Sequence, residues 1–404
     1  MKVLVLNRFG LSAMDYPGWL GAAHEVHLVT SAAAAQGQED TFDRYASVQV
    51  VASYADDPAV ELLALDLHDR VGLDALVAMS EFDLLRAARL REAMGLPGQT
   101  VPSAEAYRDK LTMKTVLRAG GVPVADHAPI ASATDLLAFA ARSEGPVVVK
   151  PRRGAASVGV HVLSDAEAVR SHVLTSADLR GDDPAHLLAE EFVPHELVHV
   201  DGAWRDGKVV LAWPSRSSSQ LGFRDGEVVR SAMLDLTDDG VEPALAMVER
   251  ALATLPTPDV SLFHAELFRT ADGAYLVNEI GCRMGGARIK TAMEVAHGVN
   301  LEEWYVRNAL GDTVWDAGRA RPEPLSGFAI IPPRPGRLDA APSECPLPGV
   351  RRFKVEVELG AELTDATCNG DAMASITVEG ADAREVVERL DRALAWAADS
   401  LVVV

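Results

Sequence analysis

VSLFHAELFRTADGAYLVNEIGCRMGGARIK, residues 260–290, is the stretch of sequence that decides the fold. Two apolar, β-branched runs, Val260 to Phe268 and Ala274 to Ile280, flank a turn sequence at 270–273 that ends in Gly273. Strand-like runs separated by a short turn of this composition predict a β-hairpin. The rest of the chain is interpreted around this hairpin.

Glu266 and Glu279 each interrupt an apolar strand of the predicted hairpin. Because side chains alternate along a strand, the predicted shared faces are His264, Glu266 and Phe268 on the first strand and Val277, Glu279 and Gly281 on the second. A carboxylate without a partner in apolar surroundings carries a heavy desolvation cost, so a positive group should neutralise the pair. Mg²⁺ suits this pair, because it binds one or two carboxylates and completes its coordination with water and phosphate oxygens. In the alternative interpretation, both glutamates lie on the solvated face of an ordinary hairpin.

The hairpin is followed by Arg283, Gly285 and Gly286. Arginine presents a planar fork of donors that binds phosphate or carboxylate through two hydrogen bonds, and glycine lets the backbone approach a ligand closely. We therefore predict an anion-binding segment beside the two carboxylates. If the hairpin is an ordinary one, Arg283 pairs with one of the glutamates instead.

Composition limits the class of protein. The chain of 404 residues is long enough for two or three domains, and 48% hydrophobic with 24% charged residues is ordinary for a globular protein. A net charge of −21 argues against nucleic acid or an anionic membrane as the main partner. The cysteines are widely separated, which indicates neither a disulfide framework nor a zinc site. No signal peptide or membrane-spanning run is predicted, so we expect a cytoplasmic protein.

The N-terminal part alternates strand and helix patterns. Predicted strands cover 2–6, 25–30, 48–53 and 74–79, and predicted helices cover 55–70 and 80–94. Such alternation predicts a parallel sheet. The first strand is followed by Asn7-Arg8-Phe9-Gly10 and not by G-x-G-x-x-G, so the dinucleotide-binding fingerprint is absent.

A helix that contains Lys110 is predicted from Tyr107 to Ala119. The smaller α/β unit that follows it holds a second candidate for ligand binding. A buried strand ends at Lys150, and the small-residue loop 152–159 leads to the next strand. Small side chains expose backbone N–H groups and Ser157 adds a hydroxyl, so the loop is typical of a lid over phosphates. A surface hairpin loop is the alternative. The strand pattern at 187–193 places acidic groups at the edge of a cleft.

Two further residues are candidates for substrate binding. His264 shares its predicted face with Glu266 and should line the cleft, although a core histidine with a satisfied ring is an equal alternative. The polar segment 213–219 follows a predicted strand, and it is either a substrate loop or a mobile surface loop. Within it, Arg216 is the predicted contact for a substrate carboxylate.

Taken in order, these motifs resemble those of the ATP-grasp superfamily, and within it the carboxylate–amine ligases typified by L-amino acid ligases. The matching residues lie within 106–290 and are Asp109-Lys110, Val149-Lys150-Pro151, the loop Gly154 to Gly159, Glu190-Glu191-Phe192-Val193, His264-Ala265-Glu266 and 278–286. The resemblance implies an α/β (α+β ATP-grasp) fold. Its expected parts are a Rossmann-like parallel-sheet pre-ATP-grasp domain at 1–105, a small lid subdomain at 106–190, a catalytic subdomain at 191–310, and a trailing α/β subdomain at 311–404 that walls the site.

The resemblance also implies roles for individual residues. The expected ATP contacts are Lys110, Lys150, Gly154, Ser157 and Gly159 for the phosphates, Glu190, Glu191, Phe192 and Val193 for adenine, and Glu196 for ribose. The expected ligands of Mg²⁺, or of Mn²⁺, are Glu266 and Glu279. The expected catalytic residues are Arg283, Lys150 and Ser157, and the expected substrate contacts are His264, Arg216, Arg283, Gly285 and Gly286.

Two positions depart from the family pattern. The family commonly has an oxygen ligand two residues after the second metal glutamate, where this chain has Gly281, so Asn278, Asp272 or water would have to substitute. The family often has a glutamate for ribose where this chain has Leu197. Glu196 is one residue away and is taken as the ribose ligand.

The function that the resemblance implies is formation of an amide or peptide bond between an amino acid, or another small carboxylate, and an amine. The carboxylate would react with ATP to give an acyl phosphate, and ADP and phosphate would be released. The partners would then be small molecules, with a homodimer as a family-level expectation. The alternatives are carboxylation or ligation to a ribonucleotide amine, and a regulatory protein that binds ATP without catalysis.

Overall fold

The structure, a computed structural model, describes residues 1–55, 57–179, 186–218, 221–312, 321–368 and 370–404. Within these ranges, no helix is both long enough and apolar enough to cross a membrane. The strands in the described residues form an N-terminal parallel sheet, a small antiparallel lid sheet, a large antiparallel sheet and a short three-stranded sheet. The predicted fold class is confirmed.

The N-terminal part is a parallel sheet with helices on both faces. Its strands are β1 (Lys2–Asn7), β2 (Glu25–Ser31), β3 (Ser47–Val51) and β4 (Ala75–Ala78), in the order β3-β2-β1-β4. Its helices are α1 (Tyr16–Leu20), α2 (Ala32–Ala35), α3 (Ala59–Val71) and α4 (Leu84–Met94). Val3 and Val5 pack into one core while Leu4 and Leu6 pack into another, so β1 is buried on both faces. Because the strands are parallel, the segments that follow β1 and β4 leave the sheet at one edge.

Residues 101–119 form two helices where one helix from Tyr107 to Ala119 was predicted. α5 (Val101–Arg108) is followed at once by α6 (Lys110–Ala119), because Asp109 caps α6 by accepting the N–H groups of Leu111 and Thr112. The break places Lys110 in the first turn of α6, from which its ammonium reaches the hairpin.

The lid is an antiparallel sheet with its own hydrophobic core. Its strands are β5 (His127–Ile130), β6 (Val147–Pro151), β7 (His161–Leu163) and β8 (Leu187–Glu191), in the order β5-β8-β6-β7. The helices α7 (Ala133–Arg142) and α8 (Ala166–Thr175) pack on it through Leu136, Phe139 and Val169. This core is separate from that of the large sheet.

The large sheet has eight antiparallel strands and carries the predicted hairpin at one end. Its strands are β9 (Glu196–Arg205), β10 (Lys208–Ser217), β11 (Val229–Met233), β12 (Val260–Arg269), β13 (Tyr275–Gly281), β14 (Leu325–Ile331), β16 (Val350–Val355) and β18 (Ala374–Gly380), in the order β13-β12-β9-β10-β11-β14-β18-β16. The helices α9 (Val241–Thr254), α10 (Ile289–His297), α11 (Leu301–Ala309) and α12 (Ala383–Ser400) pack against it. The hairpin β12–β13 is confirmed.

Three of the C-terminal strands continue the large sheet. β14, β18 and β16 extend it beyond β11, so strands on both sides of residue 310 share one hydrophobic core. A small sheet of β15 (Gly336–Ala340), β17 (Glu362–Leu363) and β19 (Val402–Val403) is attached to this part. The predicted domain boundaries after residues 105, 190 and 310 stay predictions.

Candidate active site

A β-bulge in the hairpin brings two neighbouring side chains to the same site. Glu266 pairs directly with Glu279, but Leu267 pairs with Val277, so Asn278 is the extra residue. Asn278 Nδ2 donates to Glu266 Oε2 at 2.9 Å, and Val277 is fully buried in the core. The prediction that Val277 and Glu279 share a face is therefore wrong, because the bulge interrupts the two-residue alternation. Asn278 does reach the carboxylate pair, as expected of a substitute for an oxygen ligand at Gly281, whereas Asp272 bonds to Thr270 within the turn.

Lys110 neutralises one of the two glutamates. Its Nζ lies 3.0 Å from Glu279 Oε2 and donates to the carbonyl of Gly154 at 2.8 Å. The first turn of α6, the hairpin and the loop after β6 therefore meet at one ammonium. A lysine and a carboxylate at this distance attract each other strongly when both are largely removed from water.

Lys150, at the end of β6, connects the lid to the hairpin. Its Nζ lies 2.9 Å from Glu190 Oε2 and donates to Asn278 Oδ1 at 3.2 Å. The other oxygen of Glu190 lies 3.2 Å from Lys114 Nζ, and both side chains are buried. Glu190 is thus held by two lysines, and its role in the structure is to bind them. The predicted contact of the Glu190 backbone with adenine stays a prediction.

The lysines keep the buried carboxylates ionised. Burial alone would raise the pKa of Glu279, but the ammonium groups of Lys110 and Lys150 outweigh burial and hold this pKa at about 2. Burial opposes the ionisation of Glu190 as well, yet Lys114 and Lys150 lower its pKa. Burial dominates at Lys114, whose pKa falls to about 8. At neutral pH the site therefore presents charged oxygens, which are the ligands that Mg²⁺ prefers.

The loop between β6 and β7 contains residues with positive φ angles, and it is hydrogen-bonded to Arg224, which lies between β10 and β11 of the large sheet. Ala156 and Ser157 have φ angles of 54° and 59°, in the left-handed region that residues with a Cβ adopt at a cost. Gly159 also has a positive φ, 71°, and a Cβ there would approach the Pro151 ring to 2.9 Å. The Arg224 guanidinium donates to the Ser157 carbonyl at 3.0 Å. The predicted contact of this loop with phosphates remains a prediction.

At the end of β8, two of the backbone N–H groups near the predicted adenine contacts already have hydrogen-bond partners. The N–H of Glu191 donates to the Asp126 carbonyl and that of Phe192 to the Pro146 carbonyl, both at 2.9 Å. These two N–H groups are therefore engaged within the lid. In the described parts of the chain, the Val193 N–H makes no backbone hydrogen bond.

A stacked pair of rings near this segment was not predicted. The His195 imidazole stacks on Phe268, with ring centroids 3.8 Å apart and an interplanar angle of 26°. Phe268 is on the same strand face as Glu266. The alternation along β12 identified Phe268, but nothing in the sequence indicated its partner.

Arg283 is bound by a carboxylate from the N-terminal domain. Its Nε donates to Glu81 Oε2 at 2.7 Å, and one terminal nitrogen lies 2.7 Å from the same oxygen. The other oxygen of Glu81 accepts a short hydrogen bond from Arg108. Glu81 follows β4 at the edge where the parallel strands end, and it was missed because it lies far from Arg283 in sequence.

His264 belongs to a buried hydrogen-bonded network. Its Nδ1 lies 2.8 Å from one oxygen of Asp201, and its Nε2 lies 3.6 Å from Glu266 Oε1. The other Asp201 oxygen lies 2.5 Å from His199 Nδ1, while His199 Nε2 lies 2.6 Å from Ser231 Oγ. Burial would lower the pKa of His264, but Asp201 raises it to about 10, so the ring is an imidazolium beside Glu266. His199 and Asp201 are two residues apart on β9, so they share a strand face, and this spacing could have indicated the network from the sequence.

The network lies directly against Gly285. A Cβ at this position would stand 2.5 Å from Asp201 Oδ1, 2.5 Å from Ile289 Cδ1 and 3.0 Å from His264 Nδ1. At Gly286 nothing lies within 4 Å of a Cβ. The sequence predicts the same role for both glycines, but only at Gly285 does close packing leave no room for a side chain.

We expect Gly285→Ala to destabilise the protein by about 1–3 kcal/mol, because the added methyl group forces the Asp201–His264 hydrogen bond apart. Gly286→Ala is the matched control and should change the free energy of unfolding by less than about 0.5 kcal/mol. Urea denaturation followed by circular dichroism measures both. Equal effects of the two substitutions would contradict the packing argument.

Arg216 and Glu196 form an ion pair with each other. The segment predicted as a loop is the end of β10, because pairing with both β9 and β11 keeps it extended through Ser217; Ser219 lies outside the described residues. Ser215 shares a small cavity with the buried histidine network, so Arg216 points to the opposite face. There it lies 3.6 Å from Glu196, which is also 3.9 Å from Arg269. The predicted contacts of Arg216 with substrate and of Glu196 with ribose stay predictions.

Comparisons with known proteins agree with this architecture. Residues 115–287 match the family model "ATP-grasp domain". The L-arginine-specific L-amino acid ligase of Bacillus subtilis is 24% identical over 297 residues, which cover 72% of this chain and 70% of that protein. The N5-carboxyaminoimidazole ribonucleotide synthase of Mycobacterium leprae is 30% identical over 303 residues, 69% of this chain and 65% of that protein. The crystal structure of L-amino acid ligase from Bacillus licheniformis has the same fold, with a TM-score of 0.77 at 18% identity over 100% of this chain and 98% of that one.

Proposed function

Residues 115–287 form an ATP-grasp domain, and from this premise we propose that the protein is an ATP-dependent ligase that joins an amino acid or another small carboxylate to an amine. The observation that carries the proposal is the convergence of Lys110 and Lys150 on the hairpin that holds Glu266 and Glu279. Arg283 is near enough to this site for its charge to lower the pKa of Glu279. Such a set of buried carboxylates and cations is suited to positioning and neutralising phosphates.

The carboxylate pair fits a divalent cation. Glu266 and Glu279 stand opposite each other across the hairpin, beside Asn278, whose Nδ2 donates to Glu266 and whose oxygen accepts from Lys150. Both glutamate carboxylates have lowered pKa values. These are hard oxygen donors of the kind that Mg²⁺, or Mn²⁺, binds. When bound, such an ion neutralises phosphate charge and orients the phosphate chain.

The proposed reaction has two displacement steps, phosphoryl transfer and attack by the amine, and different residues of the chain act on the phosphates. A carboxylate oxygen of the first substrate attacks the γ-phosphorus, and the bond to the leaving ADP oxygen breaks. Lys110 and Lys150 hold the phosphates, Ser157 and its loop cover them, and Arg283 binds the transferred phosphoryl group. An amine nitrogen then attacks the acyl carbon and inorganic phosphate leaves, while the amine gives up its proton to solvent or phosphate.

An amino acid is the favoured carboxylate substrate. The relative from Bacillus subtilis is named an L-amino acid ligase, and its similarity covers 72% of this chain. The similarity to the ribonucleotide synthase of Mycobacterium leprae supports a second candidate, an ATP-dependent carboxylation or ligation of a ribonucleotide amine. A regulatory protein without catalysis is disfavoured, because the chain keeps both glutamates, both lysines and Arg283 in spite of Gly281.

The experiment that tests the proposal measures Mg²⁺-dependent phosphate release from ATP across amino acids taken in pairs, with product masses read from the same reactions. We expect release only when two substrates are present, and a product mass equal to their sum less water. Phosphate release that requires bicarbonate or a ribonucleotide amine would support the second candidate. Binding of ATP without turnover of any pair would contradict ligation of amino acids.

A further inference from the structure

Arg8 lies over two aromatic rings at the edge where the parallel strands of the N-terminal sheet end. It directly follows β1, and its guanidinium carbon lies 5.8 Å from the centroid of the Tyr54 ring and 5.0 Å from that of the Phe82 ring. Phe82 is 59% exposed although it is a large apolar side chain. Ligands of open parallel sheets bind at the edge where the strands end, so the position is suited to a binding group.

The surrounding hydrogen bonds hold this segment in place. Asn7 is buried; its Oδ1 accepts from Tyr16 Oη at 2.9 Å, and its Nδ2 donates to the Phe9 carbonyl at 2.7 Å and to Thr30 Oγ1 at 3.1 Å. The turn that carries Arg8 is thereby fixed from both sides. A preorganised side chain loses little conformational freedom when it binds a ligand.

The charges around Arg8 are paired, but Arg8 itself is not. Asp83 is fully buried, and it lies 3.4 Å from Arg86, which is 3.6 Å from Glu61. Glu81 is shared between Arg108 and Arg283. Across the ranges that the structure describes, no ion pair or hydrogen bond includes the Arg8 guanidinium. Burial raises the pKa of Asp83 to about 6, and the charge of Arg8 opposes this rise more than that of Arg86 does. In a chain of net charge −21, this cation is available to an anion.

Contacts connect Arg8 to the proposed reaction centre. The Arg108 guanidinium carbon lies 5.4 Å from the centroid of the Phe82 ring, and the same guanidinium binds Glu81. Glu81, next to Phe82 in sequence, binds Arg283 at 2.7 Å. Arg8 therefore stands one aromatic ring away from the groups that hold Arg283, on the side of the N-terminal domain.

On the basis of the proposed ligase function, we propose that Arg8 binds the carboxylate of the amine substrate, which is therefore itself an amino acid. A guanidinium fork matches a carboxylate through two hydrogen bonds. One unpaired guanidinium flanked by rings suits a monoanion, because a phosphate group would call for several converging donors. The exposed ring of Phe82 would then contact the apolar part of the same substrate.

The test uses L-alanine, L-alaninamide and 1-aminoethylphosphonate, which share an amine and differ in the presence and type of the anion. Phenylglyoxal labels accessible arginines of the whole protein, and peptide mass analysis gives the rate at Arg8. We expect L-alanine to slow labelling of Arg8 severalfold and L-alaninamide to leave it unchanged. Arg44, an exposed arginine paired with Asp15 in the same domain, is the internal control. Equal protection by the amide, or stronger protection by the phosphonate, would overturn the carboxylate assignment.

Kinetics give a second readout that separates this inference from the proposed function. Hydroxylamine traps an acyl phosphate, so hydroxamate formation reports the first step alone. We expect Arg8→Gln to keep hydroxamate formation within about twofold, to raise KM for the amino acid amine about 10–100-fold, as expected for loss of a charged hydrogen bond, and to abolish the preference over its amide. Arg8→Lys should recover part of that preference, and Arg44→Gln should behave as the unsubstituted protein.

The outcomes are distinguishable. Absence of hydroxamate with every carboxylate would reject the ligase function, while the labelling result would still decide whether Arg8 binds a carboxylate. Normal hydroxamate formation together with an unchanged preference in Arg8→Gln would reject the role of Arg8 and leave the ligase function intact.

Discussion

Glu279→Gln is expected to lower kcat for ATP-dependent ligation about 10²- to 10³-fold, because an amide cannot supply the charge that a divalent cation and Lys110 both require. In the structure the carboxylate of Glu279 lies 3.0 Å from Lys110 and directly opposite Glu266. The pKa of Glu279 near 2 means that the charge is present throughout the neutral range. Steady-state rates measured over a Mg²⁺ titration test this expectation. We also expect Glu279→Gln to raise the Mg²⁺ concentration that gives the half-maximal rate.

The substitution also removes the counter-ion of a buried ammonium, so folding has to be measured beside activity. Breaking a buried ion pair by removing one partner costs about 3–5 kcal/mol. Thermal melting in the absence of ATP separates this loss from loss of catalysis. Glu388→Gln, at an exposed position on α12, is the matched control and should alter neither quantity. Full activity of Glu279→Gln with an unchanged Mg²⁺ dependence would contradict the proposed metal site.

The hairpin illustrates what local sequence can and cannot predict. The alternation of apolar residues and the turn at 270–273 predicted β12 and β13, because both signals are local. The bulge at Asn278 is set by the pairing of Glu266 with Glu279 and by the packing of Val277 into the core. It places Val277 and Glu279 on opposite faces of β13, where the alternation predicted one shared face. A one-residue change of register moves side chains to the other face of a strand.

Contacts between distant segments were the other source of error. Nothing local indicates that Glu81 binds Arg283, 202 residues away, since the contact depends on how the N-terminal sheet packs on the hairpin. Arg216 was assigned to a loop because its neighbours are polar, but two flanking strands pair with the segment and extend it. Tertiary pairing overrides local polarity in such cases. The resemblance to a family supplied the global arrangement that local patterns lacked.

Arg283→Lys is expected to lower kcat/KM about 10²- to 10³-fold, the range seen when one donor to a developing oxyanion is removed. Lysine keeps the charge but not the planar fork, and Glu81 already binds the Nε and one terminal nitrogen of Arg283 through a single oxygen. Arg283 Nη1 also donates to the Met284 carbonyl at 3.0 Å, so one N–H on each terminal nitrogen is left for a phosphoryl group. Arg118→Lys, at an arginine of α6 that is 47% exposed in its side chain, is the matched control and should retain full activity.

A double substitution separates the role of Glu81 from that of Arg283. If Glu81 acts only by orienting the Arg283 guanidinium, Glu81→Gln alone should lower kcat/KM about tenfold. In the Arg283→Lys background, the same substitution should have little further effect on kcat/KM, because residues that act through one another have non-additive effects. Independent effects that multiply would mean that Glu81 touches a substrate itself, for instance an amine. Since Glu81 also binds Arg108 beside Phe82, the same cycle tests whether the N-terminal edge and the hairpin operate as one site.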